Sequence, residues 1–242
     1  MTGRTRAAAA VLAALACLTL DAFAPAQTVE ELVARNLAAR GLARWRTVQT
    51  MRSAGTITSA GRSVPIVVWR RRPNLLRQET AFPAGTVVSV FDGTRAWTIN
   101  PFTGTDQPRE VKGPALEVAR EQAEFDGLLV DYQVKGHAVA LDGTETVDGR
   151  RAFRLTLTKK NGQKQAFLLD ADALEIATVS LISREGRPAR LETRLDDYRS
   201  VDGVMVPFRI RDFVDGALTS DLMVEKVELD VQIDEGAFKI KD

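Results

Sequence analysis

The 242-residue sequence is poor in the side chains that most often carry covalent or metal chemistry, with one cysteine and one histidine. Cys17 lies in an N-terminal apolar stretch that we expect to be removed. The processed chain would then hold no thiol, which excludes disulfides, thiolate catalysis and cysteine metal sites. His137 stands in Lys135-Gly136-His137, a predicted helix-to-strand connection. A lone histidine at such a place is interpreted as a loop residue rather than a catalytic base.

Sequence motifs for catalysis are also absent. No nucleotide-binding glycine motif, serine-hydrolase elbow or zinc-protease motif occurs in the sequence. The carboxylate pairs Asp170/Asp172 and Asp196/Asp197 stand near predicted turns or strand ends, where solvation accounts for them. We therefore expect a protein that is not an enzyme and that holds no cofactor and no metal.

Charge of one sign and long apolar runs are lacking as well. Lysine and arginine number 33 against 32 aspartates and glutamates. Because these charges nearly cancel, the chain has no overall positive electrostatic field that would attract nucleic acid or an anionic membrane surface. After the first 26 residues no apolar run is long enough to cross a bilayer. We expect a monomer that binds no nucleic acid.

The N-terminus has the pattern of a secretory signal peptide. Arg4 and Arg6 precede an apolar run too short to span a bilayer with such flanks, and Ala24-Pro25-Ala26 offers a small-residue cleavage site. We predict a signal peptide over 1–26 and a mature, single-domain chain over 27–242. The alternative is lipidation at Cys17, but Ala14 stands three positions before it, where leucine is usual.

The mature chain has the periodicity of a mainly β fold. Val204, Val206, Phe208 and Ile210 alternate with Met205, Pro207, Arg209 and Arg211, as in a strand with one apolar face and one solvated face. Asp-Gly pairs at 202–203 and 215–216 suit the tight turns of a three-stranded meander. Similar runs at 51–58, 64–71, 75–80, 86–91 and 95–100, and again from 138 onward, predict about eleven or twelve strands.

Two helices interrupt this pattern. Thr28 and Glu31 form a predicted capping box for a helix over Val29–Arg40, which Gly41 ends. The second predicted helix begins at Pro114 and extends to about residue 132. Gly127 within it indicates a break or close packing. Its stripe recurs every three or four residues: Val118, Gln122, Phe125, Leu129 and Tyr132.

The predicted sheet is larger than its predicted cover. About a dozen strands give a face of roughly 1,200 Å², whereas two helices cover only about 450 Å². The sheet must therefore curl, pack on itself, or keep a groove for an apolar ligand. A filled barrel or sandwich and a ligand groove are equal alternatives at this point.

Arginines and tryptophans in the first half allow two interpretations each. Arg70-Arg71-Arg72 either contacts a phosphate or headgroup or, in the plainer interpretation, is a set of solvated charges before the Pro73-Asn74 turn. Trp45, Trp69 and Trp97 either line a ligand groove or pack in an ordinary core.

The residues also resemble a known family. Asp197-Tyr198-Arg199-Ser200-Val201-Asp202-Gly203, continued to Pro207, is similar to the D-Y-x-x-V-D-G-x-x-x-P signature of outer-membrane lipoprotein-sorting proteins, the relatives of the periplasmic carrier LolA. Asp92-Gly93 with Trp97 and Pro101 matches their D-G-x-x-x-W…P hairpin, and the stretch from Arg72 to Arg77 matches their R-P-x-x-x-R turn. The resemblance covers essentially the whole mature chain, although the helical insert is this chain's own.

The resemblance implies a curved antiparallel half-barrel of about 11 strands with two covering helices that act as a lid. It implies a periplasmic carrier of lipoprotein acyl chains or another lipid, served by an inner-membrane donor and an outer-membrane acceptor. Because some relatives act as stress sensors or beside transporters, a signalling or transporter-accessory module that binds a partner protein is the alternative. No position here matches the family's lid-latching arginine.

From alternation along the strands, we predict that twelve apolar side chains line the lipid site: Trp69, Leu76, Val90, Trp97, Ile99, Phe153, Leu155, Leu157, Phe167, Val206, Phe208 and Ile210.

Overall fold

The computed structural model describes residues 27–184 and 186–240. The predicted signal peptide and Cys17 lie outside the described residues. Within them, thirteen strands form one antiparallel sheet. The strands are β1 Thr50–Ser59, β2 Arg62–Arg71, β3 Leu75–Phe82, β4 Gly85–Phe91, β5 Ala96–Ile99, β6 Arg109–Val111, β7 Ala138–Val147, β8 Arg150–Thr158, β9 Lys164–Leu169, β10 Glu175–Arg184, β11 Arg187–Val201, β12 Val204–Val214 and β13 Ala217–Leu229.

The helices are few and short in the described part of the chain. They are α1 Val29–Ala39, α2 Leu42–Trp45 and α3 Pro114–Ala123, with 3₁₀ turns at Pro101–Thr103 and Glu235–Phe238. The predicted capping box is confirmed, because the Glu31 amide donates to Thr28 Oγ1 at 3.1 Å and the Thr28 amide donates to Glu31 Oε2 at 3.0 Å. The sequence pattern therefore located the start of α1 correctly.

The sheet is open and almost entirely a meander. Its strand order is β6-β5-β4-β3-β2-β1-β13-β12-β11-β10-β9-β8-β7, so the one pairing between distant strands is β1 with β13. The edge strands β6 and β7 are separated in sequence by α3 and the turns that follow it. This confirms the mainly β half-barrel, although the count is thirteen strands rather than about eleven. The short strand β6 had no clear alternation and was missed.

The hairpin turn between β11 and β12 has the predicted geometry. Asp202 has φ 47° and Gly203 has φ 80°. Two successive positive φ values match the right-handed twist of the flanking strands. Val201 then pairs with Val204 and Ser200 with Met205, as the Asp-Gly position requires.

The second predicted helix is only half correct. α3 ends at Ala123, because Glu124 turns out of the helix with ψ 110°. The chain then runs through turns, with positive φ at Gly127 and Asp131. Phe125 is nonetheless buried, while Val118 of the same predicted stripe is 52% exposed. Tertiary contacts overrode the helical spacing, since the Phe125 amide donates to Asn74 Oδ1 rather than to an earlier turn.

The concave face of the sheet is covered at its two sides by different helices. α1 packs on β8 and β9, where Leu32 and Val33 meet Leu155 and Phe167. α3 packs on β3 to β5, where Ala123 joins a cluster with Leu76, Phe91 and Ala96. The strands between these covers are β2, β1, β13 and β12. The candidate cavity lies over them.

The convex face is partly covered by the C-terminal segment. Phe238 is 2% exposed, and its ring lies 5.8 Å from the Arg71 guanidinium. Arg77 Nη1 donates to the Ala237 carbonyl at 3.0 Å. The C-terminal segment therefore packs on the convex side of β2 and β3, which matters for the placement of the predicted lining residues.

Candidate ligand cavity

A cavity of about 580 Å³ lies on the concave face, between the cover provided by α1 and that provided by α3. Its floor is formed by β1, β2, β3, β12 and β13, and its roof by the ends of α1 and α2 together with residues 122–130. The volume falls within the range of about 300–1,000 Å³ that is typical of small-molecule sites.

Cross-strand pairing produces an apolar floor. Ile57 of β1 pairs with Leu222 of β13, and Leu222 pairs with Ile210 of β12. All three side chains line the cavity. A bulge on β13 shifts the register after Val224, so that Val224 and Val227 both face inward although they are three residues apart. The floor therefore stays apolar across the irregular strand.

Two stacked aromatic rings form part of the roof. Trp45 at the end of α2 stacks on Phe125 with ring centroids 4.8 Å apart and an interplanar angle of 21°. Phe125 packs in a cluster with Val48 and Val204. The two covers of the sheet thus meet in one aromatic contact above the cavity.

Arg72 ties this roof to the sheet. Its Nη1 and Nη2 donate to the two carboxylate oxygens of Asp126 at 2.8 and 2.7 Å. Its Nε donates to the Val48 carbonyl at 2.7 Å and Nη2 also donates to the Trp45 carbonyl at 3.0 Å. The guanidinium lies 4.5 Å from the centre of the Phe125 ring. Hydrogen bonds from Arg72 hold the pKa of the Asp126 carboxyl below its usual value.

Arg70 lines the cavity wall from the sheet, whereas Arg40, also on that wall, lies at the end of α1. It pairs across the sheet with Met51 on β1 and Leu76 on β3, and all three face the cavity. Removal from bulk solvent lowers the pKa of Arg70. The far part of the wall carries Asp212, which accepts hydrogen bonds from Thr193 Oγ1 at 2.6 Å and Ser220 Oγ at 2.8 Å.

The structure brings three of the twelve predicted lining residues to the cavity wall: Leu76, Val206 and Ile210. Five others lie on the same concave face but away from the wall. Four of them belong to or pack against the core cluster beneath α1, namely Phe153, Leu155, Leu157 and Phe167. Phe208 is buried under the Arg199 guanidinium, 4.4 Å from its ring, and does not line the cavity.

The remaining four predicted residues face the opposite side of the sheet. Cross-strand pairing joins Trp69 to Arg77, Arg77 to Val90, and Val90 to Trp97, while Ile99 shares the Trp97 side of β5. Arg77 contacts the C-terminal segment, so this row lies on the convex face. The prediction that Trp69, Val90, Trp97 and Ile99 share the concave face with the other eight residues is therefore wrong. Alternation was uninformative here because β2 and β4 carry apolar side chains on both faces.

The sequence left two interpretations open for Arg70, Arg72 and Trp45, and the structure places Trp45 on the cavity wall. The plainer of the two interpretations of the arginine triplet, solvated charge, does not describe it, because Arg70 faces the cavity, Arg71 lies over Phe238 on the convex face, and Arg72 holds the roof. Part of this arrangement was predictable, because alternation along a strand places residues 70 and 71 on opposite faces of the sheet. The contact of Arg72 with Asp126 spans 54 residues and has no local signal.

The other singled-out groups have structural partners. His137 Nδ1 accepts from the Lys160 amide at 3.2 Å, and Asp170 Oδ1 accepts from the amides of Asp172 and Leu174 within its turn. Asp196 pairs with Arg150 and Arg211 on the convex face. Within residues 27–184 and 186–240 there is no cluster of three or more potential metal ligands. No helix in that part of the chain has the length and apolarity of a membrane span.

Comparison with known proteins identifies the fold. No protein-family model matches the sequence, and no curated protein sequence matches it. Among solved structures, a DUF1329 family protein from Desulfovibrio piger superimposes with a TM-score of 0.61 at 14% identity, covering 88% of this chain and 98% of that one. A LolA superfamily protein from Nitrosomonas europaea gives 0.59 at 16% identity, covering 88% and 99%.

A third structure, described as an outer-membrane lipoprotein-sorting protein domain from Vibrio parahaemolyticus, gives a TM-score of 0.57 at 13% identity, covering 86% of this chain and 95% of that one. At such identities the likeness establishes architecture. The resemblance of the sequence to LolA-like proteins is thus confirmed at the level of the fold.

Proposed function

We propose that this protein is a non-enzymatic periplasmic carrier that binds acyl chains of lipoproteins or another lipid in the cavity and ferries them toward the outer membrane. The observation that carries the proposal is the stretch of apolar concave face between α1 and α3, covered only by a roof of side chains. The LolA-like fold supports it. Twelve residues were expected to bind lipid, and the proposal now rests on Leu76, Val206 and Ile210 with their neighbours on the wall.

The chemistry of the wall suits an alkyl chain. Its floor is a contiguous set of aliphatic side chains contributed by adjacent strands, including Ile57, Ile66, Val68, Leu222 and Val224. Burying an acyl chain there would gain about 0.8 kcal/mol for each methylene removed from water. Burial of the alkyl chain is therefore enough to hold the ligand without a catalytic group. Because the bound state is favourable by this free energy, release of the ligand is harder than its binding.

Release would use the roof rather than the sheet. α1 is anchored: Asn36 Nδ2 donates to the Ala173 carbonyl at 2.7 Å, and Arg40 pairs with Glu175 at 3.0 Å. The segment from 124 to 130 is held through Arg72 and the Trp45–Phe125 stack. α2 is also anchored, because Arg44 pairs with Asp202 and Asp230 at 2.6 and 2.7 Å. We therefore assign the moving part of the lid to residues 124–130. The sequence-based expectation had been that both long helices move.

Export to the periplasm follows from the predicted signal peptide over 1–26. The mature N-terminus would be Gln27, and intact-mass analysis of the exported protein checks this. A diacylglycerol-modified Cys17 would instead make the protein membrane-anchored. Transfer would require an inner-membrane donor and an outer-membrane acceptor, and the carrier itself would act as a monomer.

The test of the proposal is lipid capture. Protein purified from the exported fraction is extracted with organic solvent and analysed by mass spectrometry, and delipidated protein is titrated with a fluorescent fatty acid. We expect a co-purified lipid and saturable uptake that unlabelled lipid displaces. Absence of both retained lipid and probe uptake would contradict the carrier and favour the alternative, a signalling or transporter-accessory module that binds a partner protein.

A further inference from the structure

Arg70 is the one charged side chain on the cavity wall whose charged group has no polar contact within the described residues. The other wall charges are compensated. Arg40 pairs with Glu175 at 3.0 Å, Glu124 pairs with Lys135, and Asp126 pairs with Arg72 at 2.7 Å. Asp212 forms no ion pair with any residue that the structure describes, and it accepts two hydroxyl hydrogen bonds. Only burial acts on the pKa of Arg70, which is lowered with no carboxylate contributing.

The surroundings of Arg70 are apolar, and its position is fixed by the strand. Its cross-strand neighbours are Met51 and Leu76, and Val68 precedes it on the same face. None of its nitrogens is among the fully enclosed polar atoms that lack a partner, so the guanidinium reaches the cavity space. Since an unpaired charge held away from bulk water costs folding free energy, a cation kept at this point calls for an explanation.

The two arginines that follow Arg70 in the sequence do not present unpaired charges to the cavity. Arg71 lies on the convex face, 5.8 Å from the Phe238 ring. Arg72 binds Asp126 and two backbone carbonyls. Arg70 alone presents its donors to the cavity.

We propose that Arg70 binds the anionic group of the cavity ligand, so that the ligand is an anionic amphiphile with its carboxylate or phosphate beneath the roof and its alkyl chain along the floor. This inference rests on the proposed function. A guanidinium matches both anions because its parallel N–H groups can donate to two oxygens at once. In a site shielded from bulk water such a contact is stronger than at the surface.

The polarity of the wall supports one orientation. Arg70 pairs with Met51 near the start of β1, next to the roof contact of Arg72. Asp212 pairs with Ser220 on β13. The next residue of β13, Asp221, pairs with Thr58 near the end of β1, so Asp212 lies one residue beyond the level of Thr58. From Met51 to one level beyond Thr58 is eight residues, so the backbone positions of Arg70 and Asp212 are separated by about 26 Å along the strands. An anion would be attracted at the Arg70 end and repelled at the Asp212 end, with aliphatic side chains between them.

The experiment compares three ligands with the same alkyl chain: palmitate, hexadecyl phosphate and hexadecanol. Each displaces a fluorescent probe from the delipidated full chain below its micellar concentration. We expect at least one of the two anions to bind about tenfold or more tightly than the alcohol, which corresponds to one charge-assisted contact. Whichever anion binds more tightly distinguishes a fatty-acid carboxylate from a lipid phosphate.

Arg70→Met removes the charge and retains an apolar chain, and Arg71→Met is the matched control one residue away on the other face. Arg70→Met should bind the anions no better than hexadecanol, and its melting temperature without ligand should rise because a poorly solvated charge is gone. Arg70→Gln is the second neutral variant if the methionine packs poorly, and Arg70→Lys should retain part of the preference. Arg71→Met should behave as the wild type does.

The outcomes separate this inference from the proposed function. Equal binding of all three ligands by the wild type, or a preference for anions that survives in Arg70→Met and Arg70→Gln, overturns the role of Arg70 and leaves the carrier intact. Failure of the wild type to bind any of the three overturns the lipid carrier itself, and the inference with it.

Discussion

Arg72 and Asp126 form a two-pronged ion pair, with Nη1–Oδ2 and Nη2–Oδ1 distances of 2.8 and 2.7 Å, that fastens the roof of the cavity to the end of β2. Their side chains are 20% and 31% exposed, so the pair is partly screened from water. The same guanidinium binds the carbonyls of Trp45 and Val48. One side chain thus holds both sides of the roof.

The first prediction concerns this ion pair. Asp126→Asn removes the charge, and we expect it to lower the free energy of unfolding by about 1–3 kcal/mol. Amide hydrogen exchange should accelerate in residues 124–130, because the segment loses its attachment. The matched control is Asp131→Asn, which breaks the exposed ion pair to Arg46 and should cost less than about 0.5 kcal/mol. Similar exchange in both variants would argue against a latch.

The second prediction concerns pH. Arg72 holds the pKa of Asp126 below its usual value. A carboxyl with a lowered folded-state pKa contributes stability above its unfolded pKa, about 3.9, and loses it as pH falls through the folded value. The stability difference between wild type and Asp126→Asn should therefore be constant from neutral pH to about 4 and shrink below it. Other carboxylates, such as Asp221 beside Arg209, contribute the same pH dependence to both proteins, so their contribution cancels in the difference. Urea titrations at each pH measure it, and a difference that grew on acidification would contradict the assignment.

The third prediction concerns the contact between the end of α1 and the β11–β12 turn. Gly41 has φ 79°, and a Cβ added there would lie 2.1 Å from the Gly203 carbonyl oxygen. Gly41→Ala should cost about 1–2 kcal/mol for the backbone and a further 1–3 for the overlap. Gly216→Ala is the control, with φ 82° and no atom within 4 Å of the added methyl. Equal losses in thermal melts would show that the close approach is unimportant.

The fourth prediction separates the cavity wall from the core. Ile210→Gln places an amide on the wall, where water reaches it without ligand, so we expect a small loss of stability and weaker fatty-acid binding. The binding loss should amount to about 1–3 kcal/mol. Leu155→Gln is the control, because Leu155 is 0% exposed beneath α1. It should lose at least about 2 kcal/mol of stability.

Phe208→Gln belongs with the core variants. Phe208 stood beside Val206 and Ile210 in the sequence-based set, but it is buried and lies off the cavity wall. We expect this variant to melt earlier. Melting curves and probe displacement on all three variants give the comparison. Normal binding by Ile210→Gln would remove this part of the wall from the ligand site.

Local interactions determined what could be predicted from the sequence. Alternation located β11 to β13, because successive side chains on a strand point to opposite faces. The Asp-Gly pair at 202–203 set its turn through positive φ, and Thr28 with Glu31 set the start of α1 through two hydrogen bonds within four residues. These features need no distant partner. The resemblance to LolA-like proteins also rested on such turn and packing residues.

The tertiary structure alone decided which face of the sheet is concave and which part of that face is filled. Alternation with strand pairing places Leu76 on one face of the sheet and Trp69 and Trp97 on the other. It cannot say which face is concave when both faces are apolar. Leu155 and Ile210 share the concave face, yet only Ile210 lines the cavity, because α1 covers one and not the other. Likewise, the second helix ends at Ala123, where the Phe125 amide bonds to Asn74, and the pair of Arg72 with Asp126 holds the following turns over the cavity. These outcomes depend on contacts between residues far apart in the chain, whose energies no local pattern records.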